Sequence, residues 1–169
     1  RQGTWTITLT PVSTTPTTRF DAWIAGYQFG AYGDAPVFVA GRDEHGMIAS
    51  PGTALEAITV GAYITKVDWP GLDGAFHHFV DYTALGELAA FSNMGPLRNG
   101  VMKPDIAGPG TAIVSTLSSF AFPPPVSALI SPDGRHVTEA GTSMATPHVT
   151  GACALILATE PNLTPTEMK

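Results

Sequence analysis

This 169-residue sequence has one cysteine, eight basic side chains and, in its first fifty residues, no asparagine. The single thiol, Cys153, cannot close an intrachain disulfide, and its apolar setting GACALILA makes it an expected packed core thiol. The redox compartment therefore stays open. The eight Lys and Arg residues are scattered singly from Arg1 to Lys169 against 14 acidic residues, for a net charge of −6. With no basic cluster to neutralise phosphates, a nucleic-acid partner is excluded. No apolar run is long enough to cross a bilayer. There is no leader or lipidation motif, and the chain reads as an internal piece of something longer. Zinc spacings such as Cys-x-x-Cys or His-Glu-x-x-His do not occur. Abundant Thr, Gly and Pro with few Lys fit a secreted or cell-envelope protein.

The sequence does contain several readable segments. TWTITLT (4–10) alternates Thr with Trp5, Ile7 and Leu9, the period of a half-buried strand. PVSTTPTT (11–18) is a loop, RFDAWIAGY supplies Phe20, Trp23 and Ile24, and APVFVAG (35–41) is a further strand candidate. Short strands between Pro, Gly and Thr turns suggest an antiparallel module at the start of the chain. After residue 50 the character changes. A helix-prone piece, 54–57, precedes ITVGAYI (58–64), whose near-continuous apolarity demands cover on both faces and favours a helix-flanked sheet. DWPGLDG (68–74) is a turn cluster, AIVSTL (112–117) a second buried-strand candidate, and Pro123, Pro124 and Pro125 impose an extended surface connection. From Thr142 the spacing of Val149, Ala152, Cys153 and Ile156 is helical. Near the end Thr164, Pro165 and Glu167 spell an N-cap, a first-turn proline and a capping-box glutamate, with Leu163 and Met168 as a hydrophobic staple.

GTSMATPHV (141–149) carries the chemistry. The missing amide of Pro147 is best tolerated in an opening turn, which puts Ser143 near the helix N-terminus. There the unpaired amides and the helix dipole favour negative charge, which suits a hydroxyl whose attack generates an oxyanion. Gly141 and Ala145 let a substrate backbone come close. Physics alone leaves two readings open, a nucleophile or a helix-capping serine in a packed core.

The stretch Gly141-Thr142-Ser143-Met144-Ala145-Thr146-Pro147-His148-Val149-Thr150-Gly151 resembles the nucleophile signature of subtilisin-like serine peptidases, the subtilases. Three more segments match in order. Ile58-Thr59-Val60-Gly61-Ala62 resembles a buried family strand, and Phe91-Ser92-Asn93-Met94-Gly95-Pro96 resembles its Phe-Ser-Ser-x-Gly element. Lys103-Pro104-Asp105-Ile106-Ala107-Gly108-Pro109-Gly110 resembles its Lys-Pro-Asp-Ile-x-Ala-Pro-Gly turn, with Gly108 where alanine is usual. The resemblance implies an α/β fold: part of a subtilisin-like parallel sheet flanked by helices, with a small antiparallel, β-sandwich-like insertion at the N-terminus. Residues 1–44 are then the β-rich insertion and 45–169 the C-terminal portion of the peptidase domain, truncated at both ends.

On this resemblance Ser143 is the nucleophile of a serine endopeptidase working through an acyl-enzyme, and its backbone amide is one oxyanion donor. The family order is Asp, His, Ser, so the first two triad members precede this chain, and the asparagine oxyanion donor is outside it or replaced. The isolated chain is expected to be inactive. Its implied partners are a protein or peptide substrate and the upstream part of the same peptidase. Gly141, Thr142, Met144, Ala145, Pro147 and His148 are structural residues near the site. His148 lies five positions after Ser143, turned roughly 140° around the helix, and is assigned to packing. His77 and His78 would face opposite ways in a strand, His45 and His136 sit in loop-like sequence, and a non-catalytic role is favoured for all five. Asp105 is expected to fix a turn, and Asp133 is a turn residue. No metal site or cofactor is expected, calcium alone being kept open at Asp34, Asp43 and Glu44, where no ordered run of oxygen ligands occurs. The rival reading is a noncatalytic binding or structural module descended from a degenerate subtilase.

Overall fold

The apolar run at 58–64 becomes strand β1 (Val60–Tyr63), and the turn that begins at Lys103 delivers strand β4 (Ile106–Pro109) beside it in parallel, Val60 opposite Ile106 and Tyr63 opposite Pro109. The computed structural model describes residues 4, 6–10, 20–24, 38–41, 43, 45–79, 84–122 and 124–169. Contacts divide the chain into two units, Arg1–Arg42 and Asp43–Lys169.

In the first unit the described residues form no strand or helix. The strand expected over 4–10 is not formed at 6–10, where Ile7 and Leu9 are 83% and 60% exposed. Alternation yields a strand only where a neighbour supplies ladder bonds and cover. Residues 11–18 lie outside the described residues, and of the candidate at 35–41 the described part forms a bend.

The second unit is built around β1. Opposite β4, residues 86–92 run antiparallel along its other edge. The amide of Ile64 donates to Glu87 O at 2.8 Å, that of Ala89 to Ala62 O at 2.9 Å, and that of Ala62 to the buried Ser92 Oγ at 2.9 Å. Ala62, Ile64, Ala89 and Ala145 form the core, with Val60, Val67 and Phe91 against it. The cluster at 68–74 closes a hairpin between β2 (Asp68–Pro70) and β3 (Phe76–His78). Trp69 anchors this hairpin, its ring against Phe79 and its Nε1 donating to Ala128 O at 2.7 Å. The strand expected over 112–117 appears as β5 (Ile113–Thr116), but it pairs antiparallel with β6 (His136–Glu139) and Val114 is 46% exposed. The strands therefore pair both in parallel and antiparallel, with β5 and β6 a pair of their own, and β5 is not the buried strand its apolar residues suggested. The unit's helices are α1 (Thr142–Thr159), packed on β1 and β4, and the short α2 (Pro165–Met168). In α2 the capping box forms as written: Thr164 Oγ1 accepts from the Glu167 amide, and the Glu167 carboxylate accepts from the Thr164 amide.

The helix-prone piece at 54–57 is a series of bends. A pair of ammonium groups takes the carbonyls that a helix would use. Lys103 Nζ donates to Ala57 O at 2.6 Å, and Lys169 Nζ donates to Leu55 O. Lys103 is fully buried, and its charge is answered by Asp105 Oδ2 at 2.6 Å. A buried cation persists only when it is paired and hydrogen-bonded in this way. Asp105 also accepts from the Thr59 amide at 2.8 Å and from Lys169 at 3.1 Å. Burial pushes the Asp105 carboxyl up, but bonds from Lys103, the Thr59 amide and Lys169 outweigh it and hold the group at about 2, below its ordinary 3.8.

Two outcomes follow from this packing. A Cβ added at Gly110 would lie 2.4 Å from Ala62 Cβ and 3.2 Å from Gly141 O, so Gly110→Ala is expected to cost about 1–3 kcal/mol in urea unfolding, the range for overpacked cores. Because Asp105 is depressed on folding, its contribution is complete above its unfolded value and is lost as pH falls from about 4 to about 2. With partial solvent access that amounts to about 1–2 kcal/mol. Stability curves measured across this interval should be flatter in Asp105→Asn than in the parent.

Candidate functional site

The position of Ser143 is decided by two glycines. Strand β4 is followed at once by Gly110, whose amide donates to Tyr63 O at 3.0 Å and whose carbonyl accepts the Gly141 amide at 2.8 Å. Gly141 is the N-cap of α1 and has no side chain to satisfy the first amides. Met144 and Ala145 turn their amides back to Gly141 O at 3.0 and 3.3 Å. The amides of Thr142 and Ser143 are left without an acceptor among the described residues. Ser143 is thus the second residue of an 18-residue helix, exposed, with its hydroxyl unpartnered among the described residues and donors beside it. This is the end of a helix at which negative charge is stabilised.

The other residues singled out in this stretch divide between anchoring and exposure. Ala145 is fully buried against the β1–β4 pair. Gly108, which stands in place of the usual alanine, is where α1 comes closest. A Cβ there would lie 2.8 Å from Ala145 O, so this departure from the family turn permits tight seating of the helix. Thr142 and Met144 are half-buried. Pro147 lies inside the helix, one turn later than an opening-turn proline, and gives no amide to the carbonyl of Ser143. His148 is exposed, with Nδ1 2.8 Å from Met144 O. The packing expected of it is not seen, because the face of α1 turned away from β1 and β4 is uncovered. The expected core thiol Cys153 is only half-buried for the same reason.

Beside the helix start lies an open cleft of about 170 Å³, with Ile48, Ala49, Thr59, Phe91, Asn93 and Thr142 on its walls. Asn93 Nδ2 donates to Met47 O at 3.0 Å and joins the Phe-Ser-Asn segment to the opposite wall. The residues at 48, 49 and 59 were not singled out from the sequence, where nothing in their chemistry marks them.

No base is brought to Ser143 among the described residues, and each of the five histidines has another partner. His45 Nδ1 is 2.7 Å from Asp43, His77 Nε2 is 2.9 and 3.0 Å from the two Asp73 oxygens, His78 Nδ1 is 2.6 Å from Asp68, and His136 Nδ1 is 2.6 Å from Asp133. His148 turns to its own helix. The His77 hydrogen bond, helped by the Ala75 amide, holds the Asp73 carboxyl below its ordinary value. The Arg135 amide and then His136 do the same for Asp133. His77 and His78 face different carboxylates, as adjacent strand residues must. For a cation, Asp34 and Glu44 lie outside the described residues, and among the described residues no group of three or more His, Cys, Asp or Glu could hold a metal. No described helix is long and apolar enough to cross a membrane.

Several known proteins are similar to this chain over most of its length. Pyrolysin of Pyrococcus furiosus is 36% identical over 138 residues, covering 75% of this chain and 9% of its own length. Serine protease AprX of Bacillus subtilis is 38% identical over 122 residues, covering 72% of this chain and 25% of its own length. The CspB protease of Clostridium perfringens is similar in structure at 29% identity and a TM-score of 0.42, covering 67% of this chain and 18% of that one. The chain therefore spans a quarter or less of the length of these proteins. The profile of the subtilase family matches residues 23–169, beginning inside the stretch read from sequence as an insertion. With the glycine-seated helix start, the cleft beside it and this match over most of its length, the chain belongs to the subtilase family.

Proposed function

We propose that Ser143 is the nucleophile of a secreted serine endopeptidase and that this chain supplies the nucleophile, one oxyanion donor and part of the substrate cleft. The observation that carries the reading is the exposed Ser143 hydroxyl in the first helical turn, next to free amides and beside the cleft. Its attack on a peptide carbonyl would form a tetrahedral centre whose oxygen is met by the Ser143 amide. Collapse expels the amine and leaves an acyl-enzyme, which water then releases. The half-apolar cleft would receive a side chain of the substrate. A relative of this chain, the minor extracellular protease Vpr of Bacillus subtilis, supports the secreted location.

The proton of Ser143 needs an acceptor. With all five histidines engaged elsewhere, the general base and the carboxylate that orients it are assigned to polypeptide outside this sequence. The exposed side of α1, with Leu155 at 74%, Ile156 at 46% and Leu157 at 39%, is the surface such polypeptide would cover.

A fluorophosphonate probe separates the possibilities. The 169-residue chain alone is expected to show no label on Ser143 and no peptide turnover. The full-length peptidase is expected to label at this residue and to lose roughly 10⁴-fold or more of kcat in Ser143→Ala. Labelling of the isolated chain would mean that a base is present within it. An unreactive full-length protein would favour a noncatalytic module.

A further inference from the structure

Residues 50–57 connect the Ile48–Ala49 wall of the cleft to its Thr59 wall, and burial does not hold them. Every residue of this loop except Gly52 is exposed, Leu55 at 57%. Its internal backbone bonding is a single turn, Ala54 N–H to Pro51 O at 3.0 Å. What fixes it is a set of polar tethers. Thr59 Oγ1 donates to Gly52 O at 2.7 Å, Lys103 to Ala57 O, and Lys169 to Leu55 O, while Thr166 Oγ1 reaches Glu56 at 3.4 Å. Asp105 lies between the two ammonium groups and holds the Thr59 amide as well.

We propose that the turn of α2, acting through Lys169, is a clamp on the loop 50–57 and thereby a positioning element for the peptide that occupies the cleft beside Ser143. The substrate part of this inference rests on the peptidase reading above; the clamp itself does not. The chain of cause is short. Thr164 and Glu167 close the capping box, which fixes α2. The turn of α2 presents the Lys169 ammonium to Leu55 O and Asp105 Oδ1. With Leu55 and Ala57 both tied, the loop carries Ala49 and Thr59 at a set separation across the cleft. Lys103 is buried and holds the inner end; Lys169, with 27% of its side chain exposed, holds the outer end. Loss of Lys169 frees the outer end without leaving a buried charge unpaired, since Asp105 keeps Lys103. A wall that moves weakens substrate binding more than it alters the chemistry at Ser143.

Amide hydrogen exchange on the 169-residue chain tests the clamp. In Lys169→Met, the hydrogen-bonded amide of Ala54 should exchange about tenfold faster, the loss expected for a hydrogen bond to a charged donor, while β1 and β4 amides stay unchanged. Thr164→Ala should shift the same amide in the same direction, and Lys169→Arg should restore most of the protection. Unchanged exchange at Ala54, or an equal acceleration across β1 and β4, overturns the clamp. In the full-length protein Lys169→Met should raise KM for a peptide substrate about threefold or more with kcat within twofold. A fall in kcat at constant KM overturns the positioning role. Local exchange behaving as stated in a full-length protein that hydrolyses nothing would keep the clamp and refute the peptidase reading.

Discussion

The contact on which the rest of the structure depends is the one between Gly110 and Gly141. A single hydrogen bond joins the end of β4 to the cap of α1, and neither residue has a side chain to keep the two segments apart. Gly110 is pressed against Ala62 of the central strand, and Gly108 two residues earlier lets the Ala145 carbonyl approach. Close backbone approach of this kind is available only to glycine. It places the first turn of α1 where its unpaired amides face outward beside the cleft, and it fixes Ser143 relative to β1 without any contact made by the serine itself. The position of Ser143 is thus determined by backbone geometry, and its side chain stays without a partner among the described residues.

The fold was legible where local pattern and tertiary demand agree. Ile58 to Ile64 could be read because an apolar run of that length must be buried, and β4 and residues 86–92 take its two edges while α1 packs against it. Thr164, Pro165 and Glu167 could be read because a capping box is completed within four residues. Ser143 does stand at a helix start, although Pro147, from which that was read, lies inside the helix and not in its opening turn. Where distant partners decide the outcome, the sequence was silent or misleading. Residues 54–57 favour a helix by composition, yet lysines 46 and 114 residues away take their carbonyls. Val114 and its neighbours look like a buried strand, but in the pair they form with β6 Val114 stays exposed. Thr4 to Thr10 alternate correctly, but residues 6–10 find no ladder. The cleft walls at Ile48, Ala49 and Thr59 carry no chemical signature and become visible only once Phe91, Asn93 and Thr142 stand opposite.

Charge is used sparingly, and the few charges present are concentrated at mechanically important points. The buried Lys103 replaces an apolar filling beneath the loop 50–57, and Asp105 answers two cations and one amide at once. Such pairs add little net stability over a well-packed apolar substitute, but they specify one arrangement, because every alternative leaves a charge without a partner. The four histidine–aspartate pairs differ from this. They lie on exposed turns and a hairpin, close in sequence, and each fastens a local bend.

Helix α1 carries an unusual number of polar groups for so apolar an element, and from Thr146 onward its hydroxyls turn inward upon it. Thr146 donates to Thr142 O at 2.9 Å, Thr150 to Thr146 O at 3.0 Å and Thr159 to Ile156 O at 2.8 Å, while His148 reaches Met144 O. Each of these hydroxyls is satisfied within the helix and asks nothing of a neighbour. Beyond its first turn, and apart from the second ring nitrogen of His148, this rod can be wrapped in hydrocarbon without water and without dedicated partners. Whatever surrounds it has only to match its shape.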